Sequence, residues 1–253
     1  MTDSQQPSAN SPQLVVVHVE KTAGTALIKA LIEPNAPGYQ RSASVTRYAR
    51  HGWKAPVFIG HIPHGVHRFT RRPVRYATVL REPLERAVSW YYYIRGQESI
   101  DLWERHPLRN FVDRVTLVQF YRDERFENRQ ARFLAGLHYD RLYPTLRRSE
   151  AFRRRLLDAA KRNLEACAVF GVQDRFGDTV RAFEHTLGWT FVKQEKRWAA
   201  ADKRRTLQDI DALNPKVLPK LRESHDLDYE LYFFAQQLFE DRYGWLAKEK
   251  VTL

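Results

Sequence analysis

The stretch LVVVHVEKTAGTALIKALI, residues 14–32, decides the fold. It opens with LVVVHV, a short apolar run rich in β-branched residues, which predicts a buried strand. The loop EKTAGT follows, and then a segment whose apolar residues share one helical face: Leu27, Ile28, Leu31 and Ile32. A strand, a small-residue loop and a helix form the geometry in which backbone N–H groups at a helix N-terminus bind phosphate. The stretch therefore predicts an anion-binding loop at the start of an α/β domain.

The loop differs from the nucleotide-binding signature G-x-x-x-x-G-K-[ST], because Lys21 precedes Gly24 and no hydroxyl residue follows a Gly-Lys pair to hold magnesium. Lys21 would supply a point charge to an anion, and Thr22 and Thr25 would supply hydroxyl donors. An anion site that needs no metal therefore fits the loop better than an ATPase site. An ordinary βα turn with a chance lysine stays open as the alternative.

Length and composition indicate one globular domain. The 253 residues are 43% hydrophobic, with six Trp, twelve Tyr and fourteen Phe, which is enough to build a large core. No apolar run approaches the roughly 18 residues that span a bilayer. Residues 1–13 are polar and lack signal-peptide features, so we predict a disordered tail followed by a single domain over 14–253. Cys167 is the only cysteine, which excludes an intramolecular disulfide and predicts a cytoplasmic protein.

The formal net charge of +12 predicts an anionic partner. Nucleic acid, an anionic membrane surface, a nucleotide cofactor and an acidic polysaccharide are all compatible with that charge. Basic clusters such as RRSEAFRRRL and DKRRTL lie beside helical patterns, and each can equally be a solvated helix face.

Further apolar runs predict strands at Val57–Ile59, Arg75–Leu80 and Cys167–Val172. Helical patterns lie between and after them, at 81–95, 100–136 with a break at 122–128, 147–167, 178–187 and 228–246. The basic span 193–206 predicts a mobile loop that could gate a cleft. Alternating strands and helices predict an α/β fold: a single P-loop-like three-layer domain with a mainly parallel central sheet flanked by helices.

A second anion-binding pattern combines Arg81 and Ser89 across a strand-to-helix junction, with Pro83 in the first helical turn. An arginine fork and a serine hydroxyl could hold one phosphate between them. The alternative is that Arg81 joins its charged neighbours, among them Glu85 and Arg86, in surface ion pairs on a helix whose aromatic run is core.

These motifs carry a resemblance to a known family. EKTAGT after LVVVHV resembles the 5′-phosphosulfate loop of the carbohydrate sulfotransferases, P-K-T-A-G-T-[ST], and LREPLERAVSWYYYIR is similar to their 3′-phosphate motif. FIGHIPHGVHRF, NRQARFLAG, FGVQDRFGDTV and HDLDYELY continue the resemblance in the same order. It covers residues 14–243 and follows the pattern of the heparan sulfate 2-O- and 6-O-sulfotransferase group.

The resemblance implies transfer of a sulfuryl group from 3′-phosphoadenosine 5′-phosphosulfate (PAPS) to a hydroxyl, which leaves adenosine 3′,5′-bisphosphate (PAP). It assigns cofactor binding to residues of the loop and of the second motif: Lys21, Thr22, Ala23, Gly24, Thr25, Ala26, Arg81 and Ser89. Lys21 is also catalytic, because it would neutralise charge on the leaving phosphate. The chain departs from the family pattern at Glu20, where the family has proline, and at Ala26, where it has a hydroxyl residue.

The general base that the resemblance implies is His61, which matches the histidine of the family's Gly-His pair. An imidazole with a pKa near 6.5 suits proton removal at neutral pH. A loop histidine that only hydrogen-bonds to the backbone is the alternative. Glu20 is the rival base because it is adjacent to Lys21, whereas His18 lies inside the first strand and is expected to be a core residue.

The expected acceptor is a carbohydrate or glycoside, which the basic surface would favour if it is acidic. We assign acceptor binding to Glu20, His64, Asn128 and Arg132; for the last two, a helix cap and a surface arginine are an equally good interpretation. No cluster has the spacing of a metal site, so no metal is predicted. No nucleic acid is expected as a partner, and peripheral membrane contact stays compatible with the charge.

Two other function classes are weaker. A kinase-like phosphotransferase would need magnesium and a Gly-Lys-[ST] sequence, which the chain lacks. A basic nucleic-acid-binding protein would explain the charge but neither of the two anion-binding patterns.

Overall fold

The computed structural model describes residues 11–70, 72–96, 106–192 and 218–248. Five strands form one parallel sheet in the order β2-β3-β1-β4-β5. They are β1 (Gln13–Val17), β2 (Gln40–Arg41), β3 (Val57–Gly60), β4 (Val74–Leu80) and β5 (Val169–Val172). The predicted α/β class with a mainly parallel sheet is confirmed, and so are the four predicted strands.

Helices connect and flank the strands. The first half of the chain contributes α1 (Gly24–Leu27, continued by Ile28–Ile32 and Glu33–Asn35), α2 (Val45–Arg50), α3 (Pro83–Gly96), α4 (Arg109–Val112) and α5 (Leu117–Tyr121). The second half contributes α6 (Arg129–Ala135), α7 (Leu137–Leu146), α8 (Glu150–Glu165), α9 (Phe176–Leu187), α10 (Leu218–Ser224), α11 (Asp226–Tyr243) and α12 (Trp245–Lys248). None of the described helices combines the length and apolar character that crossing a membrane requires.

β1 occupies the centre of the sheet because its sequence is apolar on both faces, and all five of its residues are buried. The chain leaves β1 for the outer strand β2, returns to β3, and then crosses to β4 on the other side. The carboxyl ends of β3, β1 and β4 therefore lie side by side where the winding direction reverses. Open α/β sheets bind their ligands at this edge.

Two local features differ from the sequence prediction. The edge strand β2 has only two residues, both exposed, and so has no apolar pattern that could reveal it. Helix α1 changes to π-helical geometry over Ile28–Ile32, where the N–H of Glu33 donates to the carbonyl of Ile28. Pro34 has no N–H for the carbonyl of Ala30, four residues earlier, and that carbonyl instead accepts from the N–H of Val192 at 2.9 Å. The predicted loop 193–206 lies outside the described residues.

The apolar face predicted for α1 is confirmed, since its four residues are all buried in the main core. The aromatic residues of α3 are not all core residues. Trp90 and Tyr91 are buried in a second cluster with Phe120 and Phe126, while Tyr93 is 40% exposed. This helix therefore presents an aromatic ring to the same side as the loop after β1.

Candidate active site

Three segments singled out by sequence converge at the carboxyl edge of the sheet. The loop 18–23 follows β1, His61 follows β3 and Arg81 follows β4. Val17 of β1 pairs with Gly60 on one side and with Thr78 on the other, so the three strand ends are neighbours. Gly60 is required there, because a Cβ at this position would lie 2.0 Å from the carbonyl oxygen of Ser42.

The loop after β1 has an unusual backbone. Lys21 and Ala23 have φ angles of 68° and 65°, in the left-handed region that costs a non-glycine residue roughly 1–2 kcal/mol. The hydroxyl of Thr22 is buried and donates to the carbonyl of Val19 at 2.9 Å, so it holds the loop closed. Thr25 is exposed at the start of α1, and the Lys21 ammonium lies 4.4 Å from the centre of the Tyr93 ring.

His61 is held by the backbone of the same loop. Its Nδ1 lies 2.8 Å from the carbonyl oxygen of His18, and because a carbonyl can only accept, Nδ1 must carry the hydrogen. The other ring nitrogen, Nε2, then has a lone pair free to take a proton. The His18 ring packs against it with 4.8 Å between centroids. Burial, together with the positive charge of a protonated His61, lowers the pKa of His18 to about 3, so His18 is a neutral support for His61.

Gly24 lies directly over His18. A Cβ at position 24 would lie 2.0 Å from Nε2 and 2.1 Å from Cε1 of that ring. We expect Gly24→Ala to destabilise the protein by about 1–3 kcal/mol, because the buried ring has to move. Urea unfolding would measure this loss. His18→Ala removes the ring, so the cost of Gly24→Ala should largely disappear in that background; equal costs in both backgrounds would contradict the contact.

Glu20 is an ion-paired carboxylate. Its Oε1 lies 3.2 Å from Nη2 of Arg129, at the start of α6. Burial alone would raise the pKa of Glu20, but the charge of Arg129, followed by that of His61, lowers it to about 2. A carboxylate with so low a pKa is a weak base at neutral pH, so the geometry favours His61 over the rival base.

The Glu20 ion pair predicts a pH dependence of stability. A carboxyl group whose folded-state pKa is lowered from 4.5 to about 2 contributes about 3 kcal/mol in full above pH 4.5 and loses it as the pH falls toward 2. We expect urea unfolding to show Glu20→Gln less stable than wild type at pH 7, with less than half of that difference left at pH 3. Glu150→Gln is the matched control, because Glu150 is exposed and forms an ion pair with exposed Arg154. A difference for Glu20→Gln that stays constant with pH would refute the lowered pKa.

Arg81 is anchored at its backbone and reaches toward the loop. Its N–H donates to Oε1 of Gln130 at 2.9 Å, and its carbonyl accepts from Nε2 of the same side chain at 2.8 Å. The guanidinium is buried, with Nη1 3.3 Å from the carbonyl of Lys21 and Nη2 3.3 Å from Oε2 of Glu85. Its Nε is buried and has no hydrogen-bond partner among the described residues. Ser89 follows Glu85 by one helical turn on the same face of α3 and is also buried.

Arg86 is not on the surface as the ion-pair interpretation requires. Its side chain is 0% exposed, and none of its three guanidinium nitrogens has a hydrogen-bond partner in the described part of the chain. Burial lowers the pKa of Arg86, and the nearby carboxylates of Asp228 and Glu20 oppose that effect. Asp228 itself accepts from the N–H groups of Gln130 and Ala131 at the start of α6. Arg86 therefore supplies internal positive charge behind the site.

Asn128 and Arg132 are held by internal partners. Asn128 is buried, donates to Tyr143 at 2.9 Å and accepts from the N–H of Asp228 at 3.0 Å. Arg132 is buried too, paired with Asp140 at 2.8 Å and bonded to backbone carbonyls. Their polar groups are thus used within the described part of the fold, which is consistent with the helix-cap and arginine interpretation around α6.

His64 does not join the strand-end residues. Its ring packs on Tyr76 at 4.0 Å between centroids, in the amino-terminal half of β4, and its carbonyl accepts from the N–H of Leu137. Burial lowers the pKa of His64 to about 4. Among the predicted site residues, the loop, His61, Glu20 and Arg81 lie together, whereas His64 belongs to another surface.

Two charged residues that the structure places beside the site have no predicted role. Arg129 pairs with Glu20, and Arg41 at the end of β2 is close enough to contribute to the lowered pKa of His18. The NRQAR motif predicts acceptor binding by Asn128 and Arg132 and no role for Arg129. Arg41 could not be predicted, because the sequence around β2 has no strand pattern.

Comparison with known proteins agrees with this geometry. The profile of the Sulfotransferase family matches residues 8–235. Human heparan-sulfate 6-O-sulfotransferase 2 and 1 are each 24% identical to the chain, over 94% and 92% of its length, and zebrafish (Danio rerio) heparan-sulfate 6-O-sulfotransferase 1-B is 28% identical over 69%. The chain spans 46% of the first and third of these relatives and 66% of the second. With the family profile matched over most of its length, the chain belongs to the Sulfotransferase family.

Proposed function

We propose that the protein transfers a sulfuryl group from PAPS to a hydroxyl of a carbohydrate acceptor. The observation that carries this proposal is the meeting, at one sheet edge, of the loop 18–23, of His61 with its Nδ1 bonded to that loop, and of Arg81. Family membership gives the reaction class, and the three strand ends supply groups suited to each part of it.

The residues present fit a donor with two phosphate groups. Left-handed turns at Lys21 and Ala23, followed by the start of α1, form a loop whose backbone N–H groups would bind a phosphosulfate together with the Lys21 ammonium. Arg81 has a buried Nε without a hydrogen-bond partner in the described ranges, and its guanidinium lies 3.3 Å from its carboxylate partner, Glu85. These donors, with the Ser89 hydroxyl, would hold the 3′-phosphate. PAPS would supply the activated sulfuryl group.

His61 is the proposed general base. The bond from Nδ1 to the His18 carbonyl fixes the ring tautomer, so that Nε2 can accept the proton of an acceptor hydroxyl. Lys21 and the loop amides would stabilise the negative charge that builds on the departing phosphate. Glu20 stays ionised and holds Arg129, which makes it a positioning residue for the loop in this proposal.

A carbohydrate acceptor is proposed from the relatives, whose names state action on heparan sulfate. The net charge of +12 favours an acidic acceptor over a neutral one.

The test is calorimetric binding of PAP, with adenosine 5′-phosphate and ATP–magnesium as comparison ligands, followed by transfer of labelled sulfate from PAPS to heparan sulfate. We expect PAP to bind more tightly than adenosine 5′-phosphate, because binding needs the 3′-phosphate. We also expect labelled sulfate to appear on heparan sulfate. Equal or tighter binding of ATP–magnesium would instead favour a phosphotransferase and refute the proposal. If PAP binds but sulfate is transferred to no polysaccharide, the proposal of PAPS as donor stands and the proposal of a carbohydrate acceptor is refuted.

A further inference from the structure

One long segment of the chain has no negative charge. Residues 34–81 contain nine Lys or Arg and four His but no Asp or Glu, although the whole chain has 30 acidic residues. A stretch of this length without acids produces a surface of one sign unless acids from elsewhere fold against it.

The fold brings Glu85 to Arg81 at the end of this segment, but no acidic partner to its middle part. Throughout the described ranges, no ion pair involves a residue between 41 and 75. On other surfaces the arginines do have acidic neighbours, as Arg154 has Glu150 and Arg175 has both Asp178 and Glu240. In the part of the chain that the structure describes, the basic side chains between 41 and 75 are therefore not ion-paired and can bind an external anion.

Six exposed side chains of this segment, which we call the basic face, lie before β3 or before and at the start of β4: Arg50, Trp53, Lys54, Arg68, Phe69 and Arg75. Arg72 joins its parts, because Nη1 donates to the carbonyls of Trp53, Lys54 and Ala55 while Nε donates to the carbonyl of Ser11. The basic face therefore lies at the amino-terminal end of the sheet. The candidate active site lies at the other end, and the five residues from Tyr76 to Leu80 alone span about 13 Å along the strand, in four steps of about 3.3 Å.

A cavity of about 570 Å³ opens on the basic face, lined by His64, His67, Thr70, Arg75 and Tyr76 among others. The Tyr76 oxygen accepts from the N–H groups of Gly65 and His67, so its own hydrogen goes to Nδ1 of His67, 2.9 Å away. Nε2 of His67 then carries a hydrogen that is free to donate. Burial lowers the pKa of both His64 and His67, so the cavity offers neutral hydrogen-bonding rings beside exposed cations.

We propose that the basic face is a second binding site, remote from the active site, for an acidic polysaccharide chain; the proposal rests on the proposed function. Guanidinium groups of Arg50, Arg68 and Arg75 would bind its carboxylate or sulfate groups in bidentate fashion. The cavity would take one sugar ring, with Tyr76 as an apolar wall and His67 as a hydrogen-bond donor. A concave site of this kind favours a polymer with discrete rings over the plane of a membrane.

The function of the site is to retain a long acceptor. A polysaccharide held at the basic face raises the local concentration of its other units at the active site, provided that the chain is long enough to reach around the domain. Short oligosaccharides cannot occupy both ends of the sheet. The second site therefore lowers KM for long acceptors and leaves KM for short ones unchanged.

The direct experiment measures binding of heparan sulfate to the full chain without nucleotide. We expect the triple variant Arg50→Ala, Arg68→Ala, Arg75→Ala to bind at least tenfold more weakly than wild type. The matched control removes the same charge from the other basic cluster, with Arg148→Ala, Arg154→Ala and Arg155→Ala on and before α8, and should lose less than threefold. Equal losses in the two variants would overturn the site, because they would reflect net charge alone.

Two further measurements separate this site from the active site and from other partners. The triple variant should bind PAP as wild type does and should raise KM for heparan sulfate but not for a short oligosaccharide, with kcat unchanged. A wild-type chain that binds anionic phospholipid vesicles or RNA as tightly as heparan sulfate, with the same loss in the triple variant, would overturn the polysaccharide assignment. Failure of PAP to bind wild type would reject the proposed function. The second site would then still be judged from the binding of heparan sulfate to wild type and to the two triple variants.

Discussion

His61→Asn is expected to lower kcat for sulfate transfer by about 10²- to 10⁴-fold, the usual contribution of a general base. The asparagine amide can still donate to the carbonyl of His18, as Nδ1 of His61 does at 2.8 Å, so the loop should keep its conformation. Asparagine has no group that accepts a proton at neutral pH. The variant therefore removes the chemistry at Nε2 while it preserves the contact on the other side of the ring.

The measurement is steady-state transfer to heparan sulfate, with PAP affinity and the urea midpoint recorded for the same protein. Both of these should stay close to their wild-type values. His138→Asn, on an exposed position of α7, is the matched control and should leave kcat unchanged. If His61→Asn retains more than a tenth of the activity, His61 is not the base and its bond to His18 serves the loop only.

Arg81→Ala is expected to weaken PAP binding by about 2–4 kcal/mol, roughly 30- to 1,000-fold in Kd, because a buried phosphate would lose a bidentate cation. The substitution is well suited to the test, since Gln130 bonds to the backbone N–H and carbonyl of Arg81 and these bonds survive. Adenosine 5′-phosphate lacks the 3′-phosphate, so its weaker binding should be the same in wild type and variant.

Two further variants sharpen the result for Arg81. Arg81→Lys keeps the charge but not the fork, and should fall between wild type and Arg81→Ala. Arg154→Ala removes an arginine that is 71% exposed and should change nothing. If Arg81→Ala lowers the affinity for adenosine 5′-phosphate as much as the affinity for PAP, Arg81 does not bind the 3′-phosphate and instead supports the loop 18–23.

The parts of the fold that sequence predicted are those with strong apolar periodicity. β1 and α1 could be predicted because their buried residues follow strand and helix spacing, and the topology then placed the ends of β3, β1 and β4 together. β2 could not be predicted, because its pairing with β3 uses backbone bonds of two exposed residues and needs no side-chain pattern.

The site was predictable where a residue follows a strand and was not where partners come from distant sequence. His61 and Arg81 are strand-end residues and lie as expected. Arg129, which pairs with Glu20, and Asp228, whose charge acts on Arg86, lie far along the chain from them, and no local spacing encodes such proximity. Asn128 illustrates the limit: its polarity suggested a ligand, and only the fold supplies Tyr143 and Asp228 as its internal partners.

Pro34 in helix α1 favours a contact between α1 and the segment after α9. Because Pro34 leaves the Ala30 carbonyl without its helical donor, that carbonyl is available to the N–H of Val192, and next to it Asn35 exchanges two hydrogen bonds with Thr190. Helix propensity alone would predict that Pro34→Ala stabilises the helix. Here an alanine would offer a competing local donor, and the segment after α9 would have to outcompete it to remain attached. Pro34 is thus unfavourable for its own helix, but it leaves the Ala30 carbonyl available for the hydrogen bond from Val192.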